Sequence, residues 1–321
     1  MNQGLFSSSI DISLSNPAEL VSAVPFLLGY PPVDSIVLIG LDGERIAVTG
    51  RVALPGADEP LEGFATIAQA LRNNDVSAAI VIGFGHPDQV TRCIDHLREA
   101  IADLEVELVD ALRVTNGRYW SYLCGDLRCC PAEGRPLDID DTAIAAEFTA
   151  AGAQVKSDRD TVLRQLDAVT GPERDAMNTA IARVTEVLGD PVDERLLRER
   201  GRSILARCAD TLELPGHEDS AWLSMALPDE AILDEAMMSV DQHPPDGDST
   251  ALWVWLTRHA GPEHRALCAA VLSYAAWRCG NGVVAGEAAR IAGEHEPRHH
   301  LTDAMLQILC NGVPPWADVE S

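Results

Sequence analysis

Chemistry in this chain is concentrated in a few short stretches. Cys124, Cys129 and Cys130 place three thiols within seven residues. Thiolates bind zinc, but a structural site takes four ligands, so a fourth would have to come from afar, for instance His86. Core packing, metal binding and redox work are the three uses open to these thiols, with packing the commonest. Just upstream stand Arg118, Trp120 and Ser121. On a strand, Arg118, Trp120 and Tyr122 share one face. An arginine beside a tryptophan can bind an anion or stack a ring. Arg118 needs an acceptor, either a carboxylate such as Asp34 or Asp126 or an anionic ligand.

Two turns add polar candidates. Gly83-Phe84-Gly85-His86-Pro87 leads from an apolar run into a helix start. Free N–H groups at such a start attract anions, which makes Gly85 and His86 candidates. A plain βα turn, tightened by glycine, is the simpler reading. Asp34 and Ser35 precede the first apolar run and serve either a ligand or the turn itself. The Gly83–His86 turn and the Arg118–Cys124 strand are expected to face one another at the carboxyl end of a sheet, where open α/β sheets place ligands.

Familiar catalytic strings fail on inspection. His295-Glu296-Pro297-Arg298-His299 has the zinc-protease spacing, but Pro297 breaks the helical turn that would align the imidazoles. Lys156-Ser157 lacks the preceding glycine of a phosphate-binding loop, and Asp88 stands where a dinucleotide fingerprint needs its third glycine. No cofactor is expected, zinc on the thiols being the exception.

The elements that must position these residues read as follows. Asn16, Pro17 and Glu19 mark a helix start, and Pro25 is expected to interrupt that helix. Ile36–Leu41 and Ala78–Gly83 are buried strands, and Asp42-Gly43 turns the first into a partner at Arg45–Leu54. Leu61–Leu71 and Pro87–Leu104 carry helical apolar spacing. Val106–Val109 starts another strand, and Asn116-Gly117 makes a hairpin of Ala111–Thr115 and Arg118–Tyr122. Beyond about residue 140 only helices are expected, including Asp158–Val169, Pro172–Leu188, Pro191–Leu214 and Glu263–Cys279, with a loop at Gln242–Asp248. The fold class is therefore an α/β domain over residues 1–150, a mixed sheet covered by helices, followed by an all-helical domain over 151–321. Gly280, Ala285, Ala289, Ala292 and Pro297, with Ala269, Leu272, Ser273 and Ala276 before them, have the small-residue spacing of a tetratricopeptide-like hairpin.

Charge narrows the function classes. The formal net charge is −26, with 22 acidic and 9 basic residues in 1–150 and 28 and 15 in the remainder. Neither half offers the clustered cations that phosphate backbones or anionic membranes require, so no nucleic acid and no membrane partner is expected. Lys156 is the sole lysine. The apolar runs are too short to span a bilayer, no secretory signal precedes Arg45, and eight cysteines read as reduced thiols of a cytoplasmic protein.

Two stretches resemble an actinobacterial family known as domain of unknown function 4192. They are Leu27-Leu28-Gly29-Tyr30-Pro31-Pro32-Val33-Asp34-Ser35-Ile36-Val37-Leu38, and Gly117-Arg118-Tyr119-Trp120-Ser121-Tyr122-Leu123-Cys124 with Cys129-Cys130-Pro131 and Gly134-Arg135-Pro136. Arg51-Val52-Ala53-Leu54-Pro55 is similar to a third family segment, which often has an acidic residue where Ala53 stands. The resemblance implies a source group and no activity. The expected function is a non-catalytic protein-interaction or scaffold module with an unidentified protein partner, in which Trp253, Trp255 and Trp277 could line a groove. The alternative is an enzyme or small-molecule binder using a pocket in the α/β half. A polar pocket joining His86, Arg118, Ser121 and Cys124 would favour the alternative. An apolar exposed groove on the later helices would favour the interaction module.

Overall fold

The computed structural model describes residues 16–315 except 44, 62–63, 138–142, 151–154, 244–247 and 296–298. The chain forms two compact units, one of Ile10–Arg159 joined by Cys310–Ser321, the other centred on Asp160–Leu309.

In the first unit, helix α1 (Pro17–Leu28) starts where its signals predict, with Asn16 Oδ1 accepting the Glu19 N–H at 3.0 Å. Pro25 does not interrupt it. The helix runs to a left-handed cap at Gly29, φ 80°. A mid-helix proline costs about 3 kcal/mol. Here Leu20 through Phe26 are all buried, and that burial outweighs the lost hydrogen bond.

Six strands form one mixed sheet: β1 (Ser35–Asp42), β2 (Arg45–Ala53), β3 (Ala78–Phe84), β4 (Glu107–Thr115), β5 (Arg118–Ser121) and β6 (Arg135–Pro136), in the order β2-β1-β3-β4-β5-β6. Only β3 and β4 run parallel, joined across α3 (Pro87–Ala102). Helices α2 (Phe64–Asn73) and α3 cover one face, closing Ile36, Leu38, Val81 and Ala111 under Phe64, Leu71, Val90 and Leu97. Val37, Ile39, Ile82 and Leu112 on the other face are fully buried too, which is why β1 and β3 read as unbroken apolar runs. Helix α4 (Ala143–Ala150) meets α1 through stacked Phe26 and Phe148, ring centroids 4.8 Å apart. The chain end returns to α2: the amides of Asn73 and Asn74 donate to the carbonyls of Asn311 (2.6 Å) and Gly312 (2.7 Å).

No strand follows β6 among the described residues. The expected helix at Asp158–Val169 is only α5 (Arg159–Leu163) and one 3-10 turn, Arg164–Leu166. Then come α6 (Pro172–Leu188), α7 (Glu194–Thr211), α8 (His217–Ala226), α9 (Glu230–Asp241), α10 (Asp248–His259), α11 (Arg265–Arg278), α12 (Gly282–His295) and α13 (His300–Cys310). Helix α7 is shorter than expected because Asp193 caps it, accepting the Leu196 N–H at 3.0 Å. In the α11–α12 hairpin, Ala269, Leu272, Ser273 and Ala276 are buried, as are Ala285, Ala289 and Ala292, and the Ser273 hydroxyl donates to the Ala285 carbonyl at 2.9 Å. Pro297 lies outside the described residues, as does most of the loop expected at Gln242–Asp248. His295 closes α12 and His299 precedes α13, and residues 296–298 of the zinc-protease string lie outside the described residues. No helix among the described residues is long and apolar enough to cross a membrane.

Candidate functional site

The carboxyl end of β3 gathers several of the expected residues. Gly85, at φ 142°, donates its N–H to the Val114 carbonyl (3.2 Å) and accepts the Thr115 hydroxyl (2.8 Å). A side chain there would crowd Asp34, whose Oδ1 lies 3.0 Å from the position a Cβ would take. Asp34 itself turns at φ 41° and its carbonyl accepts the Leu54 N–H. Ser35 is fully buried, and its Oγ meets no partner among the described residues. Near it, Arg51 donates to the Val33 carbonyl at 3.2 Å, and burial lowers its pKa. Asp34, Ser35 and Gly85 therefore meet. His86 sits beside them but points outward, two-thirds exposed and 3.9 Å from Asp88.

Arg118 pairs with Thr115 across the hairpin, so turn and hairpin share one end of the sheet. Its guanidinium, however, donates to the carbonyls of Gly134 (2.6 Å) and Glu133 (3.3 Å). The acceptor is thus neither of the carboxylates considered, and Asp126 is held by Arg128 at 3.0 Å instead. Trp120 donates Nε1 to the Ala132 carbonyl and lies under the Arg113 guanidinium, 4.0 Å from the ring centre. Ser121 donates to Asp110 (2.6 Å) and accepts the N–H groups of Leu123 and Cys124. These side chains are committed to folding one loop, 122–134, whose backbone has few strand partners of its own.

That loop holds the thiols. The sulfurs of Cys124, Cys129 and Cys130 all lie within 4.8 Å of one another. The Asp126 carbonyl accepts the N–H groups of both Cys129 and Cys130, and Arg135 binds the Cys129 carbonyl. Gly134 packs against Trp120 with φ 75°, a place for glycine alone. The Asp126 N–H, and then the Cys130 thiol, lower the pKa of Cys124, while burial pushes Cys130 up to about 11. The loop thus favours the ionised form of one sulfur and disfavours it at a neighbour.

The helical unit carries a feature the sequence did not announce. A mostly apolar depression is lined by Leu212, Leu214, Val240, Leu252 and Trp253, with Glu213, Ser239 and His243 among them. Leu212 and Leu214 are about half exposed. Leu212 ends α7 in the left-handed region, φ 56°, where glycine is the usual cap. Of the tryptophans expected to line a groove, Trp253 is core at the floor of this depression, and Trp255 and Trp277 are partly buried against the same core. The available signal was two leucines, Leu212 and Leu214, on either side of Glu213 at the end of the helix expected over Pro191–Leu214.

The family described as Domain of unknown function (DUF4192) matches residues 17–316, and the chain belongs to it. No curated protein and no solved structure matches the chain.

Proposed function

We propose that this member of the DUF4192 family is a non-catalytic interaction module of the cytoplasm that docks a protein partner on the α7–α9–α10 depression. One observation carries the reading: a half-exposed leucine is held in a left-handed backbone beside an apolar depression. Such a residue costs about 1 kcal/mol, and strain of this kind clusters at functional positions. Charge gives the partner's chemistry. Glu213 lines the depression and is exposed, in a chain with net charge −26. The fitting partner presents an apolar anchor flanked by lysine or arginine. The stacked helical hairpins, including the tetratricopeptide-like α11–α12 pair, supply a rigid frame. Affinity capture from source-cell cytosol should retain a protein on the wild-type chain and on Val187→Asp, and lose it on Leu214→Asp. Equal retention by all three would end the reading.

A second reading rests on the thiol loop. Three sulfurs within 4.8 Å, one of them favoured as thiolate, suit zinc with a fourth ligand from outside the loop. This site would organise the loop as a metal knuckle, in keeping with a binding protein. Metal analysis of the full chain against Cys129→Ser and Cys130→Ser tests it, and an unchanged zinc content would exclude it. The alternative of a small-molecule pocket has less to draw on, since Nη1 of Arg118 and the hydroxyl of Ser121 are engaged within the fold.

A further inference from the structure

Three side chains from separate helices of the second unit converge on one point. Glu173 is the second residue of α6, His217 the first of α8 and His259 the last of α10. One carboxylate oxygen, Glu173 Oε1, stands 3.0 Å from His217 Nε2 and 3.2 Å from His259 Nε2. All three donor atoms lie within 4.8 Å of one another.

The surroundings fix His259. Its side chain is only 2% exposed, and its ring stacks on Trp255 at 3.7 Å between centroids. Trp255 is itself anchored, donating Nε1 to the Ser220 hydroxyl at 3.0 Å. Arg174 closes the end of α10 by donating to the carbonyls of Arg258, His259 and Ala260. His259 Nδ1 lies 2.8 Å from the Trp255 carbonyl. A carbonyl only accepts, so Nδ1 carries a proton. In a neutral ring Nε2 is then a bare lone pair, and it faces a carboxylate oxygen 3.2 Å away. Two acceptors at that distance repel. The contact needs a proton on one of the two atoms or a cation held by both.

We propose that Glu173, His217 and His259 form a binding site for a divalent transition-metal ion, zinc by the character of its donors. Two imidazoles and a carboxylate are a zinc donor set. Ligand atoms about 2.0–2.1 Å from a tetrahedral ion stand about 3.3–3.4 Å apart. The Nε2–Oε1 separations, 3.0 and 3.2 Å, need little adjustment to reach this. The Nδ1–carbonyl bond is the outer-shell support that orients a metal-binding histidine and fixes its tautomer. Glu173 and His217 are partly exposed, so an ion can enter from solvent and keep a water as its fourth ligand. The site is independent of the docking reading and of the thiols.

Cobalt(II) reports the site and separates it from the thiol loop. The full chain would be stripped with chelator in a Cys124→Ser, Cys129→Ser, Cys130→Ser background and titrated with the metal alone. The expected result is one equivalent bound, with visible d–d bands, no thiolate charge-transfer band, and displacement by zinc but not by magnesium. Zinc at a hundred times its dissociation constant should raise Tm on the order of 5 °C. His217→Ala and Glu173→Gln alter partly exposed side chains and should fold, yet each should weaken binding at least ~10-fold. The absence of d–d bands would overturn the proposal, leaving the contact as a hydrogen bond between the side chains. Bands of undiminished affinity in both variants would overturn it by placing the ion elsewhere.

Discussion

At the scale of single residues, the structure redistributes roles between neighbours. Arg118, Trp120 and Ser121 have the chemistry of ligand binders, yet each saturates a backbone or side-chain group of the loop that carries the cysteines. Reactivity passes to Cys124. Its lowered pKa means that its thiolate is present at a pH where an ordinary cysteine is still protonated. Limited alkylation from pH 6 upward, read by peptide mass spectrometry, should modify Cys124 well before Cys130, which is held up to about 11. The reverse order would contradict the hydrogen bonding described for the loop. Asp229 provides a second residue-scale test. Its carboxylate pairs with Arg198, caps α9 through the Ala231 N–H, and is held below the usual carboxylate range, chiefly by Arg198. A depressed folded pKa stabilises above the unfolded value, near 4, and that contribution disappears as pH falls through the folded value. Asp229→Ala should cost about 1 kcal/mol at neutral pH and flatten the acid limb of the stability profile.

At the scale of elements, two residues at element boundaries are held in left-handed conformations for opposite reasons. Gly134 is there because nothing larger fits: a Cβ would lie 2.3 Å from the Trp120 ring. Gly134→Ala should destabilise the protein by about 1–3 kcal/mol and release the thiol loop, detectable as even alkylation of its three cysteines. Leu212 is there although glycine would suit the backbone better. Leu212→Gly should raise stability by about 0.5 kcal/mol while weakening partner binding. A variant that lost stability and kept its partner would show that the leucine serves the core alone. The helices themselves obeyed local rules where caps decide. Asn16, Asp193 and Asp229 each accept a first-turn N–H and begin their helices. Pro25 is the exception, overridden by burial on all sides.

At the scale of the whole molecule, the two units have separate cores, and residues 310–315 belong with the first unit. Gly312 packs directly on Ala70, where a Cβ would approach within 2.4 Å, and α2 anchors the tail through Asn73 and Asn74. Deleting residues from Asn311 onward should lower the unfolding temperature of the α/β unit and spare the helical one, as resolved by tryptophan emission and calorimetry. A uniform shift would deny the tail its place in the first unit. The even spread of negative charge acts globally, and moderate salt should raise Tm by screening self-repulsion.

The sequence by itself determined the class of the fold, because its signals are local. Period-two and period-3.6 apolar patterns separated sheet from helices, Asn116-Gly117 specified a hairpin that forms with both residues at positive φ, and capping residues marked several helix starts. It also brought Asp34, Ser35 and Gly85 under suspicion, and they do meet, since β1 and β3 are neighbours in the sheet. The tertiary structure alone decided what polar side chains do. Arg118 reaches the carbonyls of Glu133 and Gly134 because the chain folds back after β5, a path no spacing rule contains. Glu173, His217 and His259 are separated by 44 and 42 positions and share no motif. They converge because α6, α8 and α10 pack around one core, and burial then sets His259 Nε2 against a carboxylate oxygen. Proximity between distant residues is set by packing, and only packed coordinates reveal it.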